Sequence, residues 1–140
     1  MSAAKGFRNV LRDDADVTAL TGSYLSYPSI FAESIPPADF AIKPHGPFIL
    51  IGPSVSAVRE DGTGVTLGAQ SNFRARIYAE TDETAEALAD AVESALHGST
   101  PIVSGCVVRG VIAEPSGPAP TDTPSVIGRQ IPIRLFYERA

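Results

Sequence analysis

Along residues 72–97 the spacing of apolar residues changes from every second position to every third or fourth, and this switch constrains the fold more than any other stretch. Over 72–79, Phe73, Ala75, Ile77 and Ala79 point one way while Arg74, Arg76 and Tyr78 point the other, as in a strand with one covered face. Over 82–97, Ala85, Leu88, Ala89, Val92 and Leu96 form one helical stripe, and Glu83, Glu86, Asp90 and Glu93 occupy the other side. Thr81 is placed to cap this helix, Asp82 and Glu83 complement the positive end of its dipole, and Gly98 stands where a terminating glycine belongs.

Upstream, Phe7, Val10 and Leu11 share a helical face that Val17 and Leu20 continue, which predicts a short helix or two. Thr21-Gly22 supplies a glycine for a positive φ just past the helix end. Pro28, Pro36, Pro37, Pro44 and Pro47 then predict a long loop, about 23–47, with short extended pieces. Residues 48–51 are apolar and rich in strand formers, and 54–58 continue in that style past Gly52-Pro53, so one kinked strand is expected. Asp61-Gly62 lies in a polar turn that returns into 72–79. Residues 106–114 and 126–138 read as strands, and the four prolines of the intervening 115–124 exclude regular structure there. The order helix, strand, strand, helix, strand, strand predicts an α+β fold, a mostly antiparallel sheet with helices packed on one face, in a single domain spanning 1–140.

Few kinds of chemistry fit these residues. A net charge of −5 disfavours a free-standing nucleic-acid binder, which needs clustered Lys and Arg. No run is long and apolar enough to span a bilayer and the first residues lack the pattern of a signal peptide, so a cytosolic product with no membrane partner is expected. The one cysteine, Cys106, has no Cys-His signature and reads as a small strand residue. His45 and His97 stand in no cluster of metal ligands, and His97 is explained by a favourable meeting with a helix dipole. Gly62-Thr63-Gly64 lacks the Gly-Lys-Ser/Thr and the following helix of a phosphate loop. No catalytic, cofactor or metal site is expected. The acidic helix face and the arginines Arg74, Arg76, Arg109, Arg129 and Arg134 are instead complementary surfaces suited to contacts between copies.

The segment 73–92, a strand running into the Ala85, Leu88, Ala91-Val92 helix, resembles the tail-completion or tail terminator family of long-tailed phages. Val17-Thr18-Ala19-Leu20-Thr21-Gly22, Ile30-Phe31, Pro36, the strand 48–51 and the closing Ile131-Pro132-Ile133-Arg134-Leu135-Phe136-Tyr137-Glu138 agree in order, while 23–29 and 115–124 depart from it. The resemblance implies a non-enzymatic virion component of a phage, prophage or gene transfer agent, made in the host bacterial cytoplasm. It implies a homohexameric ring at the tail–neck junction that caps the tail tube, stops its growth and meets the head–tail connector or stopper protein, with DNA passing through unbound. The alternative is another neck or tail component, a tail tube subunit or a head-completion protein.

On this reading the ring interface combines sheet edges with pairing of Arg74 or Arg76 to Glu86 or Glu93 of the same or an adjacent copy. The hairpin tip 60–68, with Asp61, Gly62, Thr63 and Gly64, and the loop 115–124 are expected to be mobile in the lone subunit and to touch neighbouring rings.

Overall fold

The computed structural model describes residues 3–33, 36–37, 40, 46–52, 55–60, 66–121 and 125–139, and for 55–60, 66–69 and 139 the backbone alone. Two long strands, β6 (Thr66–Ala79) and β9 (Ile127–Arg139), pair antiparallel from Ala69 opposite Tyr137 to Ala79 opposite Ile127 and form the spine of the sheet. Beside β6 run β4 (Phe48–Ile51) and β5 (Val55–Glu60), and beside β9 run β7 (Cys106–Ala113) and β8 (Gly117–Ala119). A short β3 (Ile30–Phe31) joins the β4 edge in parallel; β1 (Ser23–Tyr24) and β2 (Tyr27–Pro28) form a separate hairpin.

The two flanks share one irregularity. From Ile51 to Val55 the chain advances four residues while its partner on β6 retreats three, from Ala75 to Asn72. From Ala113 to Gly117 it again advances four against three, from Ile133 to Gln130. Each flank is thus one strand broken by an extra residue, which is the kinked strand expected for 48–58. Gly52, at φ 148°, stands at the first break and its N–H still donates to Arg74 O at 3.1 Å. A further bulge at Arg109 lies between Val108 and Gly110. Bulges of this kind bend a strand and add twist, so the sheet curls around its helices.

The helices α1 (Ala3–Arg12), α2 (Ala15–Leu20) and α3 (Asp82–Leu96) cover one face. Phe7, Leu11, Val17, Leu88, Val92 and Leu96 pack with Phe73, Ile77, Ile131, Ile133 and Leu135 in one buried core, and the Phe7 and Phe73 rings meet edge to face at 5.2 Å. Gly6 lets α1 approach residues 101–103, since a Cβ there would lie 3.0 Å from Ile102 O. The caps are those expected: Thr81 Oγ accepts the Thr84 N–H at 3.2 Å, and Gly98 adopts φ 76°. Asp14 caps α2, accepting the Val17 N–H at 3.0 Å.

Two expectations are corrected. Gly22 has no positive φ; α2 ends at an extended Thr21 (φ −86°, ψ 152°). Gly22 is instead approached by Gly46 (φ 78°), on which a Cβ would lie 3.0 Å from Gly22 Cα. The 115–124 segment is also not wholly irregular, since β8 pairs with β9 in spite of Pro118. An edge strand tolerates proline, and the Gln130 side chain secures the Pro118 carbonyl at 3.2 Å.

Candidate assembly surfaces

Seen from the core, the far side of the sheet has two halves. Leu50 lies opposite Arg76 and is therefore on the face away from the helices, yet it is only 3% exposed. What surrounds this region is a second apolar group supplied by the proline-rich region. The rings of Tyr24, Phe31, Phe40, Phe48 and Tyr78 succeed one another at centroid distances of 4.8–5.9 Å, ending in a stack of Phe48 on Tyr78. Such edge-to-face and stacked contacts add about 0.5–1.5 kcal/mol per pair beyond burial. Arg12 ties the β1–β2 hairpin to α1, donating to Ile30 O at 3.3 Å and standing 5.2 Å from the centroid of the Tyr27 ring. Burial and the neighbouring Arg8 lower the Arg12 pKa below its ordinary value, partly offset by Tyr27.

The other half is open, with charged side chains around a largely apolar floor. Asn72, Arg74, Pro132, Arg134 and Glu114 line a groove of about 550 Å³. Arg74 is exposed and Arg76 half-buried. Arg134 Nε lies 3.3 Å from Glu114 Oε1, close enough for an ion pair though off hydrogen-bond geometry.

The acidic residues of α3 lie on the opposite side of the sheet. α3 contains no Lys or Arg; Asp82, Glu83, Glu86 and Asp90 are exposed and Glu93 is half-buried. Because Ala85, Leu88 and Ala89 of α3 pack toward the face that carries Phe73, Ala75 and Ile77, the sheet itself stands between Glu86 and Arg74 of one copy. The remaining predicted interface residues, Asp61, Gly62, Thr63 and Gly64, fall outside the described residues, as does His45. Sequence reasoning missed the aromatic group and the Arg134–Glu114 pair, whose members are distant in sequence. It also missed the exposed pair Arg109–Glu138, whose 2.8 Å hydrogen bond, followed by charge attraction, raises the Arg109 pKa and lowers that of Glu138.

His97 takes a different part from the one expected. From its place as C-cap of α3, its Nδ1 accepts the backbone N–H of Ala113 at 3.2 Å, a bond to β7 that the dipole argument does not contain. Beside it, Gly98 N–H donates to Val111 O at 2.9 Å, and Cys106 N–H donates to Val103 O at 3.2 Å. The bonds of His97 and Gly98 occupy the β7 edge at Val111 and Ala113, the end nearest α3, and narrow the sheet edge there. Cys106 is half-buried against the core. Among the described residues no group of three or more His, Cys, Asp and Glu could hold a metal, and no helix is long and apolar enough to cross a membrane.

The fold is shared with a chain in the solved structure described as the virion of a native gene transfer agent particle. The match covers 98% of this chain and 95% of that one, with a TM-score of 0.77 and 24% identity. Comparison with curated protein sequences finds no match. Residues 6–114, from α1 through β7 and including both the arginine strand and the acidic helix, match the family described as tail completion protein gp17, and the chain belongs to that family.

Proposed function

We propose that this protein is the tail terminator of a phage or phage-like particle: copies close into a ring of six at the tail–neck junction, cap the tail tube, halt its growth and offer the head connector or stopper protein a docking surface. Tail completion proteins are structural parts of tailed particles and not enzymes. The observation that carries the reading is the separation of charge across the sheet. The acidic face of α3 and Arg74 stand on opposite sides of the sheet and cannot meet within one copy, whereas repeated copies can bring them together. The likeness in fold to a chain of a gene transfer agent virion supports a structural part in such a particle.

A ring of acidic subunits also suits a passage for DNA. With −5 per copy, the assembly repels the duplex overall, so DNA slides through without being held. Production in the host bacterial cytoplasm belongs to the same reading.

The test is to polymerise the cognate tail tube protein with and without this chain and follow tube length by electron microscopy. Short tubes ending in a ring are expected. Unaltered tube length would sink the terminator role, and filaments formed by the chain alone would favour the rival reading of a tube subunit. Submicromolar duplex binding at physiological salt would overturn the passive channel.

A further inference from the structure

We propose that the exposed surface of α3 on one copy seats in the groove at Arg74, Pro132 and Arg134 on the next, so that every contact around the assembly is the same head-to-tail contact. The inference rests on the self-assembly reading above and specifies its surfaces.

Three observations carry it. The aromatic group covers the β3–β4 half of the far sheet face, leaving the groove as its open, arginine-bearing half. The surface that complements it is α3, where Glu86 and Asp90 project as anions and the small exposed Ala87 lets the helix approach closely. Finally, the two surfaces lie on opposite sides of one sheet, so two copies facing each other across a two-fold axis cannot join both pairs at once. An interface between different patches is heterologous, and repeats of it form a ring when the rotation closes.

A charge swap tests it. Arg74→Glu and the pair Glu86→Arg with Asp90→Arg are made as two separate proteins, with the Arg74→Gln variant as a milder control. Each is checked for native circular dichroism and melting, and assembly is read by native mass spectrometry across a salt series. Each charge-reversed protein alone places like charges in contact and is expected to assemble about tenfold less well or worse at low salt. Mixed together they restore opposite charges at every contact and are expected to form rings of alternating copies, even in number. Rings from either variant that match the native protein, or no recovery on mixing, would overturn the docking proposal while leaving the ring reading intact. A native protein that stays monomeric would overturn both. Should Arg74→Glu abolish duplex binding and leave ring formation unchanged, the groove is a nucleic-acid contact and the proposal is wrong.

Discussion

Gly128 lies directly opposite Tyr78, and the Tyr78 ring passes so close above it that a Cβ would meet Cε1 at 3.2 Å and the Ala119 carbonyl oxygen at 2.9 Å. Hence Gly128→Ala must displace backbone as well as a ring. We expect it to cost about 1–3 kcal/mol, the range of overpacking substitutions, measured by urea unfolding. A neutral result would show that β8 yields without loss.

His97→Ala removes the acceptor of the Ala113 N–H, and Ala113 is buried. His97 is itself exposed, so water can reach the freed N–H, and the loss should be that of one hydrogen bond, about 0.5–1.5 kcal/mol, read as a lower denaturation midpoint. The variant should also speed amide exchange selectively at Ala113; unchanged exchange there would contradict the assigned role.

Leu25 and Ser26 turn the β1–β2 hairpin with φ 50° and 70°, a backbone that favours Asn-Gly. Replacing them by Leu25→Asn and Ser26→Gly should stabilise the protein by about 1 kcal/mol through relief of left-handed strain. Thermal melting decides the sign.

The exposed Arg109–Glu138 bond gives a pH signature. Glu138 has its pKa lowered in the folded state, so its contribution is present above the ordinary carboxylate range and disappears as pH falls through the folded value. Native protein and Glu138→Gln should therefore differ slightly in melting temperature at neutral pH and converge on acidification. High salt should shrink the same gap.

Leu88 belongs to the core under the helices, whereas Leu50 is buried on the other side of the sheet. Each Leu→Ala change should cost about 2–5 kcal/mol. Their effects should add within about 0.3–0.5 kcal/mol, as for sites without shared partners. Strong coupling in a double-mutant cycle would show that the two groups are not independent.

The segment from β6 into α3 was readable from the chain because burial imposes periods of two and 3.6 on consecutive residues. Phe73 to Ala79 and Ala85 to Leu96 carry both without interruption. The aromatic group on the far face carries no such period. Tyr24, Phe31, Phe40, Phe48 and Tyr78 come from separate segments and meet only because β3 and β4 set their register against β6. β8 was hidden for another reason: Pro118 speaks against a strand unless its neighbours show that it lies at an edge. Arg74 and Glu86 were recognised as complementary, but their placement on opposite sides of the sheet depends on the tertiary packing of α3, which spacing alone does not encode.

The bonds along β7 limit what can pair with that edge. A bare strand edge is a template on which another chain can zip its backbone, and such growth has no natural end and is hard to reverse. Where His97, Gly98 and Val103 already hold the groups of β7, a newcomer must displace existing bonds before it can add its own. In any assembly of copies, a contact along that stretch would have to be made by side chains and could be undone without unravelling either chain.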